Sequence, residues 1–154
     1  MGVQTLTRDS LPTVVPVKFR VRRNAAFTST NASFVLVTYD TKDFDTGSNI
    51  DVTTNKGRFT APVAGFYVFF ARASFTGLGN SAQVILALYK NGSVYQRGLH
   101  EQSQVSGAGG SSYGDLVQLA AGDYVEMYVY TDGNASLETA AGSQAFFSGW
   151  HMSY

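Results

Sequence analysis

Two histidines, His100 and His151, are the first places to look for chemistry in this 154-residue chain. His100 stands beside Glu101 in a polar stretch, and His151 lies close to the C-terminal end. Neither has a second histidine three or four residues away, the spacing that a helical zinc site uses, so both read as structural. Cysteine is absent, which removes thiolate ligands, thiol nucleophiles and disulfides together. No Gly-x-Ser-x-Gly elbow is present to hold a serine nucleophile. Asp40, Asp43, Asp45 and Asp51 could gather into an oxygen-rich cation site, but their spacing departs from the calcium-loop pattern, and solvated loop acids are the other reading. Ser106-Gly107-Ala108-Gly109-Gly110-Ser111 has the glycine content of a phosphate cradle. It lacks the Gly-Lys-Ser/Thr ending and leads to a strand pattern, so it reads as a flexible loop. Asn31, Asn91 and Asn134 each begin a glycosylation sequon by pattern alone. The expectation is a protein that is not an enzyme and carries no cofactor and no metal.

Composition narrows the partners. Lys+Arg and Asp+Glu balance at 11 each, so no general attraction to nucleic acid is expected. Charged residues make up 14% of the chain, against roughly 25% in ordinary soluble proteins. No apolar run approaches the roughly 20 residues that a membrane helix needs, and membrane insertion is not expected. The opening MGVQTLTRDSLPTVV lacks a basic stretch followed by an apolar one, so synthesis without a secretory leader is expected. Residues 1–16 are polar, contain Pro12 and Pro16, and show no period. They form either an arm, able to reach about 50 Å when extended, or a frayed terminus.

From Val17 onward the chain reads as short strands between turn residues: Val17–Asn24, Ser33–Asp40, Gly57–Ala61, Gly65–Phe75, Gln83–Lys90, Ser93–Gly98, Tyr113–Leu119, Asp123–Thr131 and Ala145–Tyr154. Asn91-Gly92, Gly122-Asp123 and Asp132-Gly133-Asn134 punctuate them. The spacing predicts a β-sandwich or barrel. Phe66–Ala71 and Val84–Tyr89 are apolar on both faces, although a sandwich core can cover only one. The second face is expected to be buried by oligomerisation. In Tyr124–Tyr130, Val125, Met127 and Val129 make a core face. Tyr124, Glu126, Tyr128 and Tyr130 make the other, suited to an interface or ligand surface or to pairing across an exposed sheet. Lys18, Arg20, Arg22 and Arg23 read as the polar outer face of an edge strand, with an anionic partner as the alternative.

These strands carry a family resemblance. Phe59, five residues, then Gly65-Phe66-Tyr67-Val68-Phe69 resembles the signature of the globular-head domain of complement subcomponent q, a jelly roll related to tumour necrosis factor. Ala87-Leu88-Tyr89-Lys90-Asn91-Gly92, Leu119-Ala120-Ala121-Gly122-Asp123-Tyr124-Val125 and Phe146-Phe147-Ser148-Gly149-Trp150 resemble its later motifs in the right order, and Phe19–Asn24 fits its first strand. Phe44 and Asn49 lie near their expected places but out of register, and Ala71 stands where the family has an aromatic, with Phe70 beside it. The resemblance covers residues 17–154 and implies a jelly-roll sandwich of about ten antiparallel strands assembling as a homotrimer. It places Tyr67, Phe69, Val125, Met127, Val129 and Trp150 in the core, and Val68, Phe70 and Phe147 against neighbouring subunits.

No collagen-like stalk precedes the domain, which favours a phage or bacterial member over a secreted animal one. The expected function is a virion structural protein, a trimeric jelly roll that decorates or cements a phage capsid. Residues 1–16 are expected to contact a capsid protein, and the place of residence is a virion surface. The alternative is a receptor- or glycan-binding head of a phage fibre or bacterial surface protein, reading a cell-surface ligand with apical loops at Asp40–Asn55, Ser103–Ser112 and Asp132–Ser143.

Overall fold

Alternation of apolar and polar residues over most of the chain leaves one apolar stripe per strand, and two such sheets cover each other. The structure is a computed structural model and describes residues 16–102, 107–138 and 144–152. Its first sheet runs β10 (Gly107–Leu119), β6 (Gly65–Leu78), β13 (Ala145–His151), β1 (Lys18–Arg22), β3 (Thr41–Asp45), with β12 (Ser136–Leu137) also on β6. The second runs β4 (Ile50–Asp51), β5 (Arg58–Thr60), β11 (Tyr124–Thr131), β7 (Gln83–Lys90), β8 (Ser93–Arg97). Here β2 (Val35–Leu36) adds to β11 and β9 (Glu101–Gln102) to β7. All the pairings between these strands are antiparallel. The fold is a jelly-roll sandwich, all-β among the described residues.

The core is aromatic. Phe19 stacks on Phe59 at 4.8 Å and meets Phe147 edge-on at 5.0 Å, while Phe59 packs against Tyr67 and Phe69 at 5.5 and 5.6 Å. Offset and edge-on pairs of this kind add about 0.5–1.5 kcal/mol each beyond the area they bury. Tyr67, Phe69, Val125, Met127 and Val129 are all buried there.

Two residues lie where the sequence did not lead us to expect them. Phe147, expected against a neighbouring subunit, is 0% exposed in the core; Trp150, expected in the core, is 43% exposed. The parity of β13 decides both, since Ala145, Phe147 and Gly149 point inward. Glycine takes the inward place after Phe147 because Phe69 covers it: a Cβ on Gly149 would stand 2.5 Å from that ring and 2.9 Å from the Val68 carbonyl oxygen. The aromatic that follows must therefore point out.

The glycine-rich segment also departs from expectation. Gly107–Ser112 is the first half of β10, in register with Leu78–Arg72 of β6. A Cβ on Gly110 would come within 2.7 Å of the Ala73 carbonyl oxygen, so glycine here permits close strand approach rather than looseness. Residues 103–106 lie outside the described residues, as do residues 1–15.

The second face of β7 is covered by its own chain. Ile85 and Ala87 are buried, with Tyr130 and Tyr128 opposite them in register. Tyr89 stacks on Tyr128 at 3.8 Å, and Phe34 packs 5.4 Å from Tyr130 and 6.3 Å from Tyr89. The tyrosine row and Phe34 thus make a third layer over the second sheet, and oligomerisation is not needed to bury this face. The same argument fails for β6, whose second face stays open.

Candidate functional site

On the outer face of the first sheet, the alternation of β6 presents Phe66, Val68 and Phe70; β10 adds Leu116 and β13 adds Trp150. Phe66, Phe70, Leu116 and Trp150 are exposed, and Val68 is half-buried. Phe70 and Trp150 stack on each other with centroids 5.7 Å apart and planes inclined by 27°. Gly114 stands opposite Phe70 in the β10–β6 register, and a Cβ there would meet the Phe70 ring at 3.0 Å. The glycine makes room for the ring to lie flat across the strand. Leucine, valine, tryptophan and two phenylalanines on one sheet face form an apolar patch of the kind that marks an interface.

The face changes character toward β1 and β3. Arg20 lies 4.1 Å over the Phe146 ring, and the Asp43 carboxylate accepts from Arg20 at 3.1 Å and Arg22 at 2.6 Å. Arg23 donates to the carbonyl oxygens of Ala25 and Ala26 and sits 3.5 Å from Asp40. The basic stripe read from the sequence is therefore largely engaged within the chain, and it borders the apolar patch without competing for it.

A second surface lies around the free edge of β10. Val94 and Tyr95 of β8 are exposed, and Leu99, just beyond it, is 72% exposed. Between Gln96–Leu99 and Ser112–Asp115 runs a cleft of about 540 Å³. Its polar groups include Asp115, which accepts from the Tyr113 hydroxyl at 3.1 Å and the Leu116 amide at 2.8 Å. The cleft was not legible in the sequence, because two segments far apart in the chain make its walls and neither carries a motif.

The four carboxylates, Asp43 and Asp45 on β3, Asp51 on β4 and Asp40 just before β3, are each held by nearby donors. Asp51 accepts from the amides of Asn55, Thr53 and Thr54, which hold its carboxyl well below the usual range. For Asp40, burial pushes upward but is outweighed by the Asn24 and Ala25 amides and Thr41, and the net shift is downward. Asp45 is also shifted down: burial is overcome by Lys42 and the Asn49, Ile50 and Gly47 amides. Asp43 is shared between two arginines. Among the described residues no three acids or histidines converge as metal ligands do. His151 packs on Tyr67 at 4.8 Å and closely abuts Gly65, while His100 is exposed.

The sequon asparagines serve the turns. Asn31 accepts from the Gly133 amide at 2.6 Å, and Asn134 accepts from the Asn31 amide at 2.9 Å. Asn91 donates to Asp123 at 2.8 Å and accepts from the Tyr124 amide at 2.9 Å.

The three loops expected to share one apex are divided by the register. Thr46 bonds back to Lys18, and Thr60 to Asn49, at the end where Val17 enters. Asp132 bonds to Gln83 at the opposite end. Residues 103–106 and 139–143, within the other two loops, lie outside the described residues.

The model of the C1q domain matches residues 18–152. The chain belongs to the C1q domain family. No curated protein matches the sequence. Among solved structures it is similar to the globular domain of the zebrafish complement 1qA protein, with 20% identity over 89% of this chain and 98% of that one and a TM-score of 0.64. The Eiger TNF of S. frugiperda superposes with a TM-score of 0.66 at 11% identity, covering 90% and 93%. Murine APRIL at pH 5.0 gives 0.66 at 9% identity, covering 89% and 99%. At these identities the likeness is one of fold, and the fold is the jelly roll that complement and tumour-necrosis-factor proteins share.

Proposed function

We propose that the chain is a non-enzymatic assembly and display module: a homotrimer whose copies meet through the outer face of the first sheet, carried on a virion surface as a capsid decoration or cement protein. The observation that carries the assembly is the exposed apolar patch of Phe66, Val68, Phe70, Leu116 and Trp150. Left to water, these side chains forgo roughly 25 cal/mol for every Å² of apolar surface they could bury. The patch and the β8–Leu99 surface differ from each other, so contact between them is head-to-tail. They lie on either side of β10, not on opposite ends of the molecule, so successive copies turn sharply and close into a small ring. Family membership supports three as the number.

The virion reading rests on where the chain enters. The Pro16 carbonyl is held by Thr46 and the Val17 carbonyl by His151, at the end of the sandwich where Pro62 and Val63 line a recess with Val17. Val63 and Met152 are exposed. This end would face the particle, and the end bearing Asp132 would face away. The test is sedimentation of the full chain, and of residues 17–154, with purified particles of the source virus. The full chain is expected to pellet with particles and the truncated chain to stay behind; a full chain left in the supernatant contradicts this reading. In the alternative, a glycan-reading head, the trimer would be retained on a glycan array. The third layer does not favour it: the Tyr89 and Tyr128 faces are spent on each other, and those of Phe34 and Tyr124 lie under Arg97 and Arg58.

A further inference from the structure

We propose that Asn91 is a site of spontaneous deamidation that Asp123 holds shut in the folded chain, and that its conversion unlatches the β7–β8 hairpin. Asn91 is the one asparagine in the sequence that is followed by glycine. Glycine hinders this reaction least, because no side chain shields its amide nitrogen and its backbone turns freely. Both residues are exposed, so water reaches them.

The Gly92 amide nitrogen attacks Asn91 Cγ and gives up its proton to water. The Cγ–Nδ2 bond breaks, and the side-chain nitrogen leaves as ammonia. Water then opens the cyclic imide at one of its two carbonyls. One product carries an aspartate side chain; the other is an isoaspartate, whose main chain is longer by the side-chain methylene.

The fold resists ring closure. Lys90 pairs with Ser93 across the turn, so Asn91 and Gly92 alone make it, with φ of 51° and 80°. Those are the left-handed angles that a tight hairpin requires. The Asn91 side chain is bound at both ends: Nδ2 donates to Asp123 at 2.8 Å, and Oδ1 accepts from the amide of Tyr124, the first residue of β11, at 2.9 Å. These bonds hold Cγ against the start of β11 and oppose its turning onto the Gly92 nitrogen. The charge on Asp123 makes its bond the stronger of the two. After conversion the same contact sets two carboxylates against each other, and an isoaspartate lengthens a turn built for two residues.

Mass spectrometry of peptides spanning Asn91, taken through incubation in mildly alkaline buffer, reads the reaction directly. The folded wild type is expected to convert at least about ten-fold more slowly than the same chain in urea. Asp123→Ala, checked as folded by circular dichroism, should convert roughly ten-fold faster than the folded wild type, the factor that one charge-assisted hydrogen bond is worth. Gly149→Ala weakens the core of the first sheet, away from the hairpin, and should leave the rate at Asn91 unchanged. Asn91→Asp, which has the side chain of one product, should lower the thermal midpoint at neutral pH.

Conversion as fast in the folded chain as in urea would overturn the proposal, as would an Asp123→Ala rate equal to that of the wild type. Equal acceleration by Gly149→Ala would also overturn it, because the reaction would then follow opening of the whole chain. An Asn91→Asp midpoint equal to that of the wild type would overturn the unlatching.

Discussion

Asp123 joins two motifs that lie about thirty residues apart. It accepts from the Asn91 side chain at 2.8 Å and the Ala120 amide at 2.9 Å, and stands 2.9 Å from Lys90. The Asn91 side-chain donor, followed by Lys90 and the Ala120 amide, draws its carboxyl down from 3.8 to about 2. A carboxylate whose folded pKa lies below its unfolded one stabilises fully above about pH 4. That contribution is lost as pH falls through about 2. The thermal midpoint should therefore fall between pH 4 and pH 2, and Asp123→Asn should flatten part of this drop while lowering the midpoint at pH 7; an unchanged pH profile would refute the assignment. Gly149 gives a second residue-scale expectation. Gly149→Ala pushes a methyl group against the Phe69 ring and should cost about 1–3 kcal/mol in denaturant unfolding. The same change at Gly133, where an added Cβ meets nothing within 4 Å, tests backbone strain alone, because its φ of 94° is unfavourable to alanine.

At the scale of elements, β11 and β7 owe their two-sided burial to the third layer. Glu126 is 3% exposed beneath that layer and accepts from Arg58 at 2.9 Å. Arg58→Ala would leave a buried carboxylate without its charged donor, and a loss of about 1.5–3 kcal/mol is expected from equilibrium unfolding. Tyr128→Ala should likewise destabilise by uncovering Ala87, without altering native mass; a change in mass would mean that this face, not the first sheet's, is the interface. The main strands were legible because alternation and Asn-Gly or Gly-Asp turns mark them locally. β3, β4 and the first half of β10 were not. They are short, charged or glycine-rich, and pair only because β1, β5 and β6 offer ladders beside them, a tertiary effect that local pattern does not carry. The exchange of Phe147 and Trp150 has a similar origin. Two aromatics flanking a glycine leave parity open until Phe69 is known to lie over Gly149.

For the whole molecule, the candidate site was legible in half. Alternation grouped Phe66, Val68 and Phe70 on one face of β6, the family resemblance turned Val68 and Phe70 away from the core, and the structure leaves that face open. What the sequence did not show was the cleft, which exists only when β8 and β10 are brought side by side by the jelly-roll crossing. An obligate interface commonly buries more than about 2,000 Å², more than the Phe70–Trp150 pair supplies, so in the proposed trimer Phe66 and Leu116 would be buried along with it. Most of these contacts are apolar, so assembly should resist salt. The association of copies through this face is the central claim, and the native mass of the full chain by light scattering, at two concentrations and in low and high salt, tests it most directly. A mass three times the 16.6 kDa of one chain, held in both salts, is the expected result. A mass of one chain at both concentrations would contradict it.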